Sequence, residues 1–291
     1  MDPLFSLPLT EWSQTPSPAE LHEAIGALEN GQVLFFPQLP FVLREEEKEL
    51  LSPSLSNGRA KNISLDPSGK LKHIDVTPEQ HRLLQAMMER FATSAVALVR
   101  NLFPGYAATL ERARTSYRPV EIAGRTYSPV KDDKRLHVDA FPTRPMRGRR
   151  ILRLFANINP NGAPRLWHVG EPFEDMAQKI LPKVREPIAI APLLLAAVGA
   201  TRGLRSPYDN LMLGLHDNAK LDESYQRGTV HHEIAFPAGS TWACFTDQVM
   251  HAALAGQYVL EQTFHLDIAA MAEPQRAPIK VLERMTGRVL A

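Results

Sequence analysis

The stretch KRLHVDAFPTRPMRGRRILRLFANINP, residues 134–160, contains the residues that decide the fold of this chain. It places His137 and Asp139 two positions apart in a short predicted strand, where alternate side chains point to the same side. A second stretch, FPAGSTWACFTDQVMHAAL at residues 236–254, predicts a strand, a turn and another strand with His251 near its start. Two histidines and one carboxylate can bind one face of an Fe(II) ion and leave positions open. The sequence therefore predicts a non-haem iron site at these three residues.

The residues that follow the metal motif alternate as expected for a strand between two environments. Arg149 to Asn159 would place Arg153 and Phe155 on one face, with Leu152 and Leu154 on the other. Further strands are predicted at residues 32–37, 114–122, 125–130, 164–170, 230–236, 240–245, 250–254 and 257–269.

Two capping boxes predict where the N-terminal helices begin. Ser17-Pro18-Ala19-Glu20 and Thr77-Pro78-Glu79-Gln80 each combine a hydroxyl N-cap, a proline and a residue that caps in return. We expect these helices, within residues 17–102, to support one side of the sheet, and residues 171–227 to form a helical insertion. The order of elements predicts one domain over residues 1–291, mainly β with flanking helices: a double-stranded β-helix (jelly roll, cupin-like).

Composition limits the other possibilities. A net charge of +1 gives no indication of a nucleic-acid partner. The single cysteine, Cys244, excludes an intramolecular disulfide and fits a reducing cytoplasm. The N-terminus has no basic region followed by an apolar stretch, so we expect no signal peptide. The most apolar run, Ile188–Ala200, contains Pro192 and is too short to span a bilayer, so we expect a buried segment.

An Fe(II) oxygenase that uses a 2-oxo acid also needs a group that binds the distal carboxylate of that acid. A guanidinium suits a carboxylate because it pairs through two parallel hydrogen bonds. Arg153, among apolar residues on the strand after the motif, is the predicted anchor. Arg150 and Gln262 are the alternatives, and Tyr117 and Asn157 are predicted additional donors.

The loop between the motif and the next strand is rich in arginine and predicts an anionic substrate. Arg144, Arg147 and Arg150 are the predicted substrate-binding residues. The remaining histidines lack the spacing of a metal site, since adjacent strand residues point to opposite faces. They are predicted to be structural: His168, His216, His231, His232 and His265.

Residues 134–174, with TDQVMHAALAGQYVLEQTF at residues 246–264, resemble the Kdo hydroxylases of Gram-negative bacteria, the 3-deoxy-D-manno-oct-2-ulosonic acid 3-hydroxylases. The resemblance extends over most of the chain. It implies a double-stranded β-helix enzyme dependent on Fe(II), 2-oxoglutarate and dioxygen. It also implies that His137, Asp139 and His251 correspond to the family's metal ligands.

The implied reaction is hydroxylation of carbon 3 of a Kdo sugar in Kdo-lipid A, which gives the 3-hydroxy sugar Ko with release of succinate and carbon dioxide. Such an anionic lipid would place the enzyme in the cytoplasm, with peripheral contact at the cytoplasmic face of the inner membrane. Arg153 is similar to the basic residue that related oxygenases use on this strand. The chain departs from oxygenases with an arginine shortly after the distal histidine, where it has Glu261 and Gln262.

The residues alone leave other functions open. The same chemistry could hydroxylate a protein side chain or another small molecule, or the site could belong to a metal-binding cupin without catalysis. Two histidines and a carboxylate also suit zinc, although no general base is clearly placed for a hydrolase. The sequence does not predict an oligomeric state.

Overall fold

A computed structural model describes residues 2–185 and 203–291 of the chain. The helices in these ranges are α1 (Pro18–Glu29), α2 (Pro78–Leu102), α3 (Phe173–Ile180), α4 (Pro207–Leu221), α5 (Glu223–Gly228) and α6 (Pro278–Thr286). The strands are β1 (Leu4–Ser6), β2 (Val33–Phe36), β3 (Ile63–Leu65), β4 (Leu71–Lys72), β5 (Glu111–Arg118), β6 (Arg150–Asn157), β7 (Arg165–Gly170), β8 (His231–Phe236), β9 (Thr241–Phe245), β10 (His251–Ala255) and β11 (Val259–Leu266).

The strands form a large sheet and a small sheet. The large sheet has eight strands in the order β1-β2-β9-β6-β11-β5-β3-β4, and the small sheet has the order β10-β7-β8. An antiparallel bridge between His137 and His251 adds one more segment to the edge of the small sheet. The chain thus passes repeatedly between two sheets, which is the arrangement of a jelly roll.

Both predicted capping boxes are present. Ser17 and Thr77 accept the backbone N–H groups of Glu20 and Gln80, whose side chains accept the cap N–H groups in return. The reciprocal bonds satisfy donors that a helix N-terminus otherwise leaves unpaired. They explain why α1 and α2 begin at the prolines that follow.

Hydrophobic side chains form two cores, one on each side of the large sheet. Leu152 and Leu154 of β6 pack in a large cluster together with Leu84 and Phe91 of α2. Phe155, of opposite parity on β6, packs with aromatic residues of the small sheet and the large sheet in a second cluster. The predicted alternation of β6 is therefore confirmed, and its odd-numbered face is directed toward the small sheet.

Some local predictions were wrong. Residues 125–130 form a loop and a 3-10 turn, because the backbone there has no partner strand. Residues 52–76 are polar and rich in Ser, Gly and Lys, a composition that predicts loops, but they contain the two short strands β3 and β4. His137 and Asp139 lie in extended chain with a single bridge pair. The predicted buried segment Ile188–Ala200 lies outside the described residues, and none of the described helices is both long and apolar enough to cross a membrane.

Candidate active site

The three predicted metal ligands converge at the edge of the small sheet. Backbone bonds place them: His137 and His251 exchange N–H···O bonds of 3.0 and 2.9 Å, and the N–H of Asp139 donates to the carbonyl of Thr246 at 2.7 Å. One donor atom from each of the three side chains lies within 4.8 Å of the other two. Both histidines are buried. The group can therefore hold a single metal ion.

The two imidazoles are oriented by backbone carbonyls. Nδ1 of His137 lies 2.7 Å from the carbonyl oxygen of Arg135, and Nδ1 of His251 lies 2.9 Å from that of Val249. A ring nitrogen that donates to a carbonyl carries the proton, so the other nitrogen, Nε2, keeps its lone pair. Ligand histidines in metalloproteins are typically fixed in this way. Both Nε2 atoms are thus free to bind a metal.

The protonation states also suit a cation. Burial and the neighbouring His251 hold the pKa of His137 well below its ordinary value, and burial likewise lowers the pKa of His251. Burial opposes ionisation of Asp139, but the Arg153 guanidinium, His251 and a hydrogen bond from Thr246 together outweigh it and lower the pKa of that carboxyl. Neutral imidazoles with an ionised carboxylate are the forms that bind metal.

A cavity of about 60 Å³ lies beside the three ligands. It is lined by arginines from three strands, Arg118 of β5, Arg153 of β6 and Arg165 of β7, together with Trp167. The indole of Trp167 stacks on the ring of His251, with 5.2 Å between ring centroids. The cavity thus combines a metal site with several cations and can accommodate an anion next to the metal.

Among the described arginines that line this cavity, Arg165 is the one without a carboxylate partner. The residue is 2 % exposed, and its Nη1 donates to the carbonyl of Gly256 at 2.7 Å. It forms no ion pair with any carboxylate in residues 2–185 and 203–291, and its Nε has no hydrogen-bond partner there. Burial lowers its pKa to about 9. Nε1 of Trp167, which lines the same cavity, is a second buried donor without a hydrogen-bond partner in the described part of the chain.

These two orphan donors fit the cosubstrate expected from the sequence. Buried polar groups are normally hydrogen-bonded, so unpaired donors beside a metal site indicate a ligand that is bound there. The sequence analysis missed both residues. A signal was present, because Arg165 and Trp167 are two apart in the predicted strand 164–170 and must share one face.

Arg153 lies beside the metal ligands, on the strand and the face from which it was predicted to act. Its Nη2 is 3.0 Å from Oδ2 of Asp139, and its Nη1 is 3.2 Å from Oε1 of Glu261. Its charge is thus already balanced by two carboxylates. Arg118 also donates to Glu261, from Nε at 3.1 Å.

The other predicted cosubstrate contacts lie elsewhere. The hydroxyl of Tyr117 donates to the carbonyl of Leu50, and the amide of Asn157 donates to the carbonyls of Ala163 and Phe236. Gln262 is fully buried in hydrogen bonds to Thr115 and to backbone carbonyls. Each of these three side chains thus bonds to structural groups, and none of them lines the cavity beside the candidate metal ligands.

The three arginines predicted to bind substrate have different environments. Arg144 lines a cleft of about 250 Å³ that shares Arg118 and Arg153 with the metal cavity. Arg147 lies outside this cleft, with its guanidinium 3.4 Å from the carbonyl of Leu204. Arg150, predicted as an alternative cosubstrate anchor and as a substrate contact, lines neither the metal cavity nor this cleft.

Arg150 is fully buried on the helix-facing side of β6. Its Nε donates to Asp247 at 2.7 Å, and its guanidinium stacks 3.7 Å over the ring of Phe245. Of the histidines predicted to be structural, His216 lies beside the site, with its ring centroid 5.3 Å from that of His137.

Comparisons with known proteins agree with this geometry. Residues 11–289 match a family model described as 3-deoxy-D-manno-oct-2-ulosonic acid (Kdo) hydroxylase. No match was found among curated proteins.

Several solved structures are similar along nearly the whole chain. One is the Kdo hydroxylase KdoO, a non-heme Fe(II) alphaketoglutarate dependent dioxygenase, in complex with cobalt(II); it has 47% identity and a TM-score of 0.97, over 99% of this chain and 97% of that chain. The complex of KdoO with alphaketoglutarate and Fe(III) has 46% identity and a TM-score of 0.96, over 100% and 98%. The complex with succinate and Fe(III) has 46% identity and a TM-score of 0.96, over 99% and 97%. The predicted fold class is confirmed.

Proposed function

This chain belongs to the Kdo hydroxylase family, and from that premise we propose the roles of its residues in the reaction. It is an Fe(II)- and 2-oxoglutarate-dependent dioxygenase that hydroxylates Kdo. A metal-binding cupin without catalysis and a zinc hydrolase are thereby set aside. Bound iron, with 2-oxoglutarate and dioxygen, would supply the oxidising chemistry, in which 2-oxoglutarate would be converted to succinate and carbon dioxide.

His137, Asp139 and His251 hold the iron in our proposal. The donor set of two neutral imidazoles and one carboxylate suits Fe(II) and leaves three coordination positions for other groups. The backbone carbonyls behind both histidines fix the rings before any metal arrives. The protein's part in this step is to keep the three side chains in place and water limited.

Arg165 and Trp167 bind 2-oxoglutarate in our proposal. The observation that carries this assignment is a pair of buried donors beside the proposed metal ligands, Nε of Arg165 and Nε1 of Trp167, which have no hydrogen-bond partner within residues 2–185 and 203–291. A carboxylate there would satisfy the guanidinium through charge-assisted hydrogen bonds. Arg118 and Arg153 border the same cavity but are already paired with Glu261, and Asp133 also lines the cavity, so Arg165 is the proposed partner of the carboxylate.

The cleft that contains Arg144 is the proposed entrance for the sugar. It adjoins the metal cavity along Arg118 and Arg153, so a sugar in the cleft can present one carbon to the metal. We propose carbon 3 as the position of attack, which converts Kdo to Ko. We further propose that the Kdo is carried on lipid A and that the enzyme acts in the cytoplasm, against the inner membrane.

Mass spectrometry of a reconstituted reaction tests these assignments. The protein would be loaded anaerobically with Fe(II) and 2-oxoglutarate, mixed with Kdo-lipid A and exposed to air. We expect one added oxygen on the sugar from the wild type and none from Asp139→Ala. Asp75→Ala, which removes an exposed aspartate far along the chain, is the matched control and should retain activity.

Two other results would contradict the proposal. Formation of succinate without a change in the sugar would agree with 2-oxoglutarate-dependent oxygenase activity but would reject Kdo-lipid A as the substrate. Full hydroxylation by Asp139→Ala would reject the proposed iron ligands.

A further inference from the structure

A β-bulge between β5 and β11 places Arg114 in the cleft beside the metal cavity. Two steps along β11, from Gln262 to Phe264, are matched by three steps along β5, from Thr115 to Arg112. Two residues of β5 therefore lie opposite one residue of β11, and Arg114 is one of them. Bulges redirect side chains and are frequent next to active sites. Both bulge residues line the cleft.

The bulge lies level with the metal ligands. Thr263, the single residue opposite the bulge, pairs on its other side with Arg153 of β6. Arg153 in turn is 3.0 Å from the carboxylate of Asp139. Neighbouring strands are about 4.8 Å apart, so the backbone of Arg114 lies roughly 10 Å from that of Arg153 along the same row. Arg114 is thus two strands away from Arg153, the neighbour of Asp139, and not displaced along the sheet.

The charges in the cleft leave Arg114 unbalanced. Arg118 and Arg153 both bind Glu261, and Arg144 binds a carboxylate of β5 at 3.0 Å. Arg114 is exposed, and its guanidinium has no ion pair or hydrogen bond with any residue of the described ranges 2–185 and 203–291. The cleft therefore presents one guanidinium that is available to an anion from outside the protein.

We propose that Arg114 binds the carboxylate of the Kdo sugar, which makes the enzyme selective for acidic sugars. The inference rests on the proposed function. In a 2-ulosonic acid the carboxylate is attached to carbon 2, so the group that fixes the carboxylate also orients the neighbouring carbon 3. A planar guanidinium can fix a carboxylate through two parallel hydrogen bonds. Ser116 and Thr263 line the same cleft and offer hydroxyl groups to the sugar.

The test compares the acid with a neutral analogue. Arg114→Ala and Arg114→Lys would be assayed with Kdo-lipid A and with the same lipid whose reacting Kdo carries a carboxamide. We expect Arg114→Ala to raise the KM for the acid about 10- to 100-fold, as for a lost hydrogen-bonded charge pair. The KM for 2-oxoglutarate should change less than about twofold, since Arg114 does not line the metal cavity. Arg114→Lys should lie between Arg114→Ala and the wild type, because an ammonium keeps the charge and loses the fork geometry.

A control and a binding measurement separate this contact from general effects. Arg82→Ala removes the same charge from the exposed side of α2, where Arg82 pairs with Glu79, and should change neither KM. Anaerobic calorimetry of a Kdo oligosaccharide binding to the 2-oxoglutarate-loaded enzyme should show the same loss of affinity without turnover. Unchanged melting temperatures would show that the variants are folded.

Each contrary outcome has a defined meaning. Equal loss for acid and carboxamide, or no loss for either, would overturn the carboxylate contact while wild-type hydroxylation of Kdo upheld the proposed function. An equal rise in both KM values would assign Arg114 to the cosubstrate and overturn the inference. Absence of any sugar product from the wild type would refute the proposed function itself.

Discussion

Replacing Arg165 by methionine should make the cosubstrate-free protein more stable and much weaker in binding 2-oxoglutarate. Arg165 is 2 % exposed, its Nε has no hydrogen-bond partner among the residues that the structure describes, and burial lowers its pKa to about 9. Methionine has a similar length and no charge, so it should fill the space without a desolvation cost. The two effects therefore have opposite signs.

The magnitude of the stability effect follows from the pKa. A folded-state pKa near 9 against the ordinary value of 12.5 corresponds to a penalty of roughly 5 kcal/mol. Below pH 9 both the folded and the unfolded chain carry this charge, so the folded state bears the whole penalty. The substitution also removes the hydrogen bond to the carbonyl of Gly256, which cancels about 1–3 kcal/mol of the stability gained by removing the charge. A net rise of several degrees in Tm, on the order of 5 °C, is expected.

The effect on binding is of similar magnitude and opposite sign. Truncation of one partner in a buried, hydrogen-bonded charge pair costs about 2–5 kcal/mol. The Kd of Arg165→Met for 2-oxoglutarate should therefore rise at least about 30-fold. Anaerobic calorimetry in the presence of Fe(II) would measure the Kd, and thermal unfolding without ligand would measure the stability.

Arg150→Met is the matched control, since Arg150 is equally buried but paired with Asp247 at 2.7 Å. This change leaves a buried carboxylate without its partner and should lower stability by about 3–5 kcal/mol. Its affinity for 2-oxoglutarate should be unchanged. A destabilised Arg165→Met with normal 2-oxoglutarate affinity would refute the reasoning, because Arg165 would then be a structural cation like Arg150.

Three further predictions follow from the same structure. Co(II) at 100 times its Kd should stabilise the wild type by about 2.7 kcal/mol and so raise its Tm in a thermal shift assay. The Tm of His251→Ala should not change with Co(II), whereas the Tm of His168→Ala should rise as that of the wild type does. Burial and Arg144 lower the pKa of His265 to about 4, so stability should fall as the pH decreases from about 6.5, where the unfolded chain begins to take up the proton. Between pH 7 and pH 5 the free energy of unfolding in urea should fall by about 2 kcal/mol less for His265→Phe than for the wild type. An equal fall in both proteins would contradict the lowered pKa of His265. Gly256 has φ +105°, and an added Cβ would lie 3.0 Å from a backbone oxygen. Gly256→Ala should therefore lower the free energy of unfolding in a denaturant titration by about 1–3 kcal/mol and, by displacing Arg165, raise the KM for 2-oxoglutarate. Wild-type values of both quantities would refute this prediction.

The metal motif and the helix starts could be predicted because their causes are local. The cap bonds of Ser17 and Thr77 join residues three positions apart, so the sequence contains both partners. His137 and Asp139 are likewise two positions apart, and the geometry of extended chain alone directs both to one side. His251 could also be predicted from the sequence, because it begins a strand after a recognisable turn.

The arginines show what alternation can and cannot decide. Arg150 and Arg153 are an odd number of positions apart on one strand, so the sequence places them on opposite faces of β6. It does not tell which face is directed toward the metal. The packing of the helices against one face and of the small sheet against the other decides this, and it makes Arg150 a partner of Asp247 and Arg153 a neighbour of Asp139.

The candidate metal ligands, the helix caps and the alternating strands of a jelly roll could all be predicted from the sequence. Which of the described arginines lack a carboxylate partner depends on the tertiary structure. Whether a buried arginine is balanced depends on carboxylates that come from distant parts of the chain, such as Asp247 for Arg150 and Glu261 for Arg118. The position of Arg114 depends in the same way on the register between β5 and β11. Whether an arginine is structural or available to a ligand therefore depends on long-range pairing. A local sequence pattern does not show which residues pair over such distances.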